Sequence, residues 1–169
     1  MQRPKPEETL SYFHRYIANV QDGNIVDVLT ENQAAIQVFI KNIPTEKADY
    51  RYADGKWSVK EVLLHLVDTE RVMAYRALRF ARNDKTDIPG FDENHYAPNS
   101  NADNRTLADI AAEFQAVRNA TIAQFQYYTP EIMDRVGTSN NNACSVRGLA
   151  YIIAGHELHH RNILEERYL

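Results

Sequence analysis

One cysteine, six glycines and six prolines are all that 169 residues carry of the residue types that staple or break a chain. The lone Cys144 excludes an internal disulfide, so an apolar core must hold the fold, and a chain of this length can bury one. One domain over residues 1–169 is expected. No run approaches the roughly 20 apolar residues that a membrane-spanning helix needs, LAYIIAG before His156 being the nearest. A membrane span is therefore excluded. The opening MQRPKPEETL holds no apolar stretch of the secretory kind, which makes a cytoplasmic location the expectation. A block of basic charge is missing as well, since Lys and Arg are spread among Asp and Glu at a net charge of −4. Arg71, Arg76, Arg79 and Arg82 fall on one helix but point in several directions, so no nucleic-acid surface is expected.

Helical periodicity, by contrast, runs through most of the chain. Leu10, Phe13 and Ile17 share a face of a short first helix that Asp22-Gly23 ends. Ile25, Leu29, Ile36, Ile40 and Ile43 mark a second stripe, closed by Pro44. Ser58-Val59-Lys60-Glu61 reads as a capping box, in which serine and glutamate satisfy orphan backbone donors, and it opens a long helix to about Arg82. Thr106 caps a helix that turns Leu107, Ile110, Phe114, Val117, Thr121 and Phe125 inward, and Thr129-Pro130 starts a further short turn. After the polar loop GTSNNNACSV, Ser145 caps a final helix reaching almost to Leu169. The stretch from Asn83 to Asn104 is rich in Asn, Asp and Pro and reads as a long loop of the kind that covers a site, with His95 and Tyr96 as candidates for a pocket mouth. No strand pattern interrupts the helices. The fold class that follows is all-α, a bundle of four main helices.

The chemistry lies on the final helix, in GHELHH at residues 155–160. His156 to His160 spells H-E-x-x-H, which on a helix announces zinc proteases. Its context fails here, because the extended metzincin pattern requires Gly and His where this chain has Ile163 and Glu166. Moreover, Leu149, Ile152, Ile153, His156, His160 and Ile163 fall within a sector of about 100°, and Glu157 lies outside it. The two histidines therefore face the core while Glu157 is turned away. Two imidazoles buried one turn apart leave polar nitrogens that cost roughly 1–3 kcal/mol each if unsatisfied, and a shared metal satisfies both. His65, two turns into the Ser58-capped helix and on the side of Val62, Thr69 and Val72, supplies the third ligand. Asp68, on a neighbouring face, could accept the second ring N–H of a ligating histidine, reach the metal, or be an ordinary solvated acid. Arg76 lies on the His65 side three turns along, where it could receive a substrate carboxylate or serve in an ordinary ion pair. Cys144 has no base at a recognised spacing and reads as incidental, while Trp57 and the tyrosines read as packing.

Two blocks, WSVKEVLLHLVDTERVMAYRALRFARND and SVRGLAYIIAGHELHH, together resemble the DinB/YfiT-like family over nearly the whole chain. What this resemblance implies is an up-down-down-up four-helix bundle, often dimeric, holding a divalent metal such as Zn or Ni on three histidines. By position these are His65, His156 and His160. His159 departs from the pattern as an extra imidazole, placed at the sector edge where it could hydrogen-bond to a ligand of the metal or line the pocket. Some relatives resemble thiol transferases that act with bacillithiol or mycothiol, others resemble hydrolases, and many have no assigned activity. The expectation is a metal-dependent enzyme that activates a small thiol or water against a small electrophilic substrate. The rival expectation is a non-catalytic metal-binding bundle or a stress-related interaction module.

Overall fold

The structure, a computed structural model, describes residues 2–169. Its helices are α1 (Ser11–Ile17), α2 (Ile25–Asn42), α3 (Val59–Ala81), the single turn α4 (Glu93–Tyr96), α5 (Leu107–Gln126), the short α6 (Pro130–Met133) and α7 (Val146–Arg167). The caps explain where the long ones begin. Asn24 accepts from the Val26 N–H, Ser58 from Glu61, Thr106 from Asp109 and Ser145 from Gly148, each satisfying a donor that the first turn leaves orphaned. Glu61 and Asp109 complete capping boxes by accepting the N–H of Ser58 and Thr106.

Two apolar clusters stack end to end and fix the helix directions. The first holds the N-terminal parts of α2 and α7 (Ile25, Leu29, Leu149, Ile153) with the C-terminal parts of α3 and α5 (Ala77, Phe80, Phe125). In the second the ends are exchanged, with Ile36, Ile40 and Leu164 meeting Val62, Leu66, Ile110 and Phe114. Helices α2 and α7 thus run one way while α3 and α5 run the other, an up-down-down-up bundle. No helix among the described residues is long and apolar enough to cross a membrane.

A short hairpin, β1 (Val136–Ser139) and β2 (Asn142–Ser145), stands where the sequence reads as a polar loop. Its register runs from Val136 opposite Ser145 to Ser139 opposite Asn142. Asn140 and Asn141 make the turn with φ of 51° and 61°, the left-handed pair that a two-residue hairpin needs and that asparagine tolerates. The strands are four residues long and small or polar, so no alternating apolar pattern marks them. Gly137 explains the fit, because a Cβ there would overlap the Phe80 ring of α3. The loop after α3 is pinned to this hairpin: the Ile88 N–H donates to Thr138 O at 3.1 Å, and the Asn140 N–H to Ile88 O at 2.8 Å. Residues expected as open loop are in this way held over the bundle.

Candidate metal centre

Helix α7 is buried along its first three turns, from Val146 to Glu157, with Arg147 the one residue partly exposed. His156 points from it toward α3, where His65 meets it with ring nitrogens 3.0 Å apart, Nε2 to Nε2. His160 follows one turn later, its ring 4.5 Å from that of His156 and 4.9 Å from that of His65. One donor nitrogen from each of the three lies within 4.8 Å of the others. The His65 Nδ1 faces the Thr69 hydroxyl at 3.4 Å, and the Trp57 ring stands 4.9 Å from the His65 ring. Tyr16 of α1 sets its ring edge-on to His156 at 5.3 Å and to His159 at 5.0 Å. It reaches them because Gly155 lets the chain of α1 lie directly on α7; a Cβ at 155 would overlap the Tyr16 carbonyl.

The electrostatics keep these rings neutral. Burial lowers His65 to about 4, and burial reinforced by the neighbouring imidazoles lowers His160 to about 3. His156 is pushed well below its ordinary value, first by burial and then by His160 and His65. Lone pairs are therefore free on all three at neutral pH. Two nitrogens on one cation at bonds of about 2.0–2.1 Å sit roughly 3.0–3.4 Å apart, and the His65–His156 separation of 3.0 Å matches. A hydrogen bond between those two rings would satisfy that pair but leaves His160, which has no hydrogen-bond partner among the described residues. Three imidazoles with no carboxylate in the set suit a divalent transition ion such as zinc or nickel rather than magnesium or calcium. The residues present fit a divalent metal.

The three rings open into a cavity of about 450 Å³. Its walls include Met73, Leu149 and Ile152 from the bundle, Phe13 and Tyr16 from α1, and Phe91 from the long loop. Of the expected site groups, His159 and Arg76 also line it. His159 is half-buried and stands outside the trio of converging donors. Asp68 is not brought to the site. It faces Arg71, 3.7 Å away, whose stronger partner is Glu113 of α5 at 2.7 Å, so this acid belongs to a network on the α5 side. The loop does cover the cavity, but through Gly90, Phe91 and Glu93; His95 and Tyr96 are not in its wall. Cys144 is buried on the hairpin wall, and burial pushes its thiol up to about 12, so it is no nucleophile at neutral pH.

Glu157 points away from the histidine trio, as the sector argument requires, yet not toward solvent. It is buried against Arg118, which donates to it at 3.4 Å and grips both oxygens of Glu70 at 2.8 and 2.9 Å. The sequence places Thr69 only on the side of His65 and gives neither Tyr16 nor Arg118 a part in the site. Arg118 did carry a signal, falling four residues after Phe114 on the stripe that continues to Thr121 and Phe125.

Bundle and site together define a helical protein with a three-histidine cluster at the floor of a cavity. The chain belongs to the DinB superfamily, whose family profile matches residues 29–164. Among solved structures, YfiT from Bacillus subtilis, described as a probable metal-dependent hydrolase with an unusual four-helix bundle topology, is similar with a TM-score of 0.74 and 18% sequence identity. That similarity covers 98% of this chain and 92% of YfiT, and it shows the fold. No curated protein matches the chain in sequence.

Proposed function

We propose that this protein is a divalent-metal-dependent hydrolase acting on a small electrophilic substrate that enters the cavity above His65, His156 and His160. The observation that carries the reading is the convergence of three neutral imidazoles on one point open to that cavity. The description of YfiT as a probable metal-dependent hydrolase supports it. When bound, a divalent ion on three neutral ligands would keep its full charge and lower the pKa of water or of a thiol at neutral pH. The chain's own groups do the rest. Thr69 orients the His65 ring through its Nδ1, Tyr16 packs edge-on against His156, and Trp57 packs at a tilt against His65. Met73, Leu149 and Ile152 keep the cavity wall apolar, which strengthens any charge interaction inside it. His159, its pKa lowered chiefly by burial, is a neutral base at the wall able to take a proton on a ring nitrogen.

Thiol transfer is the second reading, favoured by the size of the cavity. At about 450 Å³ it can admit a small thiol beside a small electrophile. Protein loaded with zinc or nickel is to be assayed against ester and amide panels, and against electrophiles with and without low-molecular-weight thiols. Turnover of an ester or amide without thiol supports hydrolysis, and turnover only with thiol supports transfer. In either case His160→Ala should lose at least the roughly 10–100-fold that removing even an outer partner of a ligand costs. Silence in both panels with metal bound would contradict an enzyme and leave a metal-binding bundle.

A further inference from the structure

Arg76 lies on the same face of α3 as His65, since eleven residues make three turns plus about 20°, a rise of about 16 Å along the axis. Both side chains line the one cavity, three turns of α3 apart. Arg76 is 6% exposed, and its surroundings do not neutralise it. Its Nη2 donates to the Pro89 carbonyl at 3.3 Å, Nη1 meets only the Met73 sulfur at 3.6 Å, and Nε is buried with no partner. The Phe91 ring stands 5.9 Å from the guanidinium. No carboxylate forms an ion pair with Arg76 among the described residues, although Glu93 lines the same cavity. Arg118 shows what this protein does with a buried arginine that serves the fold: two glutamates and a backbone carbonyl surround it.

A buried guanidinium left without a counter-ion is costly to fold around, so its missing partner is expected from outside the chain. We infer that Arg76 anchors a carboxylate of the substrate, so that the substrate is a small organic acid whose electrophilic centre sits at the histidine end of the cavity. A single unpaired cation at that end matches a monoanion better than a phosphate dianion, and the planar fork of arginine matches the two carboxylate oxygens. The apolar stretch between, formed by Met73, Leu149 and Ile152, suits a hydrocarbon or aromatic spacer. This inference rests on the cavity being a substrate site, as proposed above, and it does not need the metal to be tested.

The test is calorimetric titration of the metal-free protein with benzoate, phenylacetate and 4-phenylbutyrate, with benzamide as neutral control and inorganic phosphate as dianion. Saturable binding of at least one carboxylate, tighter than benzamide and phosphate, is expected. Arg76→Met should weaken it about 10- to 100-fold, the factor that a hydrogen bond to a charged group is worth. Arg76→Lys should fall between, because it keeps the charge and loses the fork, and it serves as the readout should the methionine variant not fold. The melting temperature of Arg76→Met should equal or exceed that of the parent, whereas a structural arginine would make it fall. Absence of saturable carboxylate binding, affinity in Arg76→Met and Arg76→Lys equal to that of the parent, or tighter binding of phosphate would overturn the inference. Metal-dependent turnover confined to neutral esters would overturn it as well while leaving the hydrolase reading intact. Carboxylate binding that depends on Arg76 in a protein without turnover would do the reverse.

Discussion

Replacing Arg118 with methionine keeps most of the side-chain volume and removes the charge that Glu70 and Glu157 share. Arg118 is fully buried, and the two carboxylates are 4% and 2% exposed, so neither can turn to water when the guanidinium goes. Removing one partner of a buried ion pair costs about 3–5 kcal/mol, because the charge left behind has lost its compensation. For a chain of this size each kcal/mol moves the melting temperature by about 2–4 °C, which places Arg118→Met roughly 6–20 °C below the parent. Urea unfolding at pH 7.5 measures the loss as a shift in midpoint with unchanged slope. The deficit should also depend on pH in a definite direction. Without Arg118, the buried Glu157 carboxyl lies further above its unfolded value, so the folded state binds more protons and gains stability as pH falls toward about 4.3. Burial already holds Glu157 above its ordinary value in the parent. Exchanging Glu70, Arg118 and Glu157 together for apolar residues should recover most of the loss. An Arg118→Met protein within about 1 kcal/mol of the parent at pH 7.5 would refute the reasoning.

Gly155→Ala drives a methyl group into the Tyr16 carbonyl, a backbone atom that cannot rotate aside. It should cost about 3 kcal/mol and weaken metal uptake by shifting α1 off the histidines, as read by thermal unfolding and zinc titration. Cys144, with its thiol pushed up to about 12, should react with iodoacetamide at pH 8 about 10²–10³-fold more slowly than in the unfolded chain. Alkylation at the rate of an ordinary thiol would show that the hairpin wall opens.

The four long helices were legible because their signals are local. Caps such as Ser58 and Thr106 act within one turn, and the apolar stripes need only the helical period. His156 and His160 were legible for the same reason, being a pair at i, i+4 on an apolar face. His65 needed a partner helix, which the family resemblance named and the stripe of Val62 and Thr69 supported. The hairpin was not legible because it is held by Gly137 against Phe80 and by the bonds of Ile88, contacts made across 50 or more residues. Asp68 stayed open between two readings because a residue at a sector edge can face either neighbour, and it lies beside Arg71, which is itself drawn to Glu113 of α5. Arg118 and Arg76 show the limit most clearly. Both are arginines on buried faces, and only the tertiary contacts reveal that one has two acids and the other none.

Metal stoichiometry bears most directly on the three-histidine centre. The parent and the His65→Ala, His156→Ala and His160→Ala variants are to be stripped with chelator, incubated with zinc or nickel, freed of excess ion and assayed by elemental analysis and thermal unfolding. The geometry predicts one divalent ion per parent chain, a melting temperature raised by its binding, and at least about 100-fold weaker uptake in each variant with the helical signal retained. A parent that takes up no stoichiometric ion, or a His65→Ala variant that holds one as tightly as the parent, would contradict it.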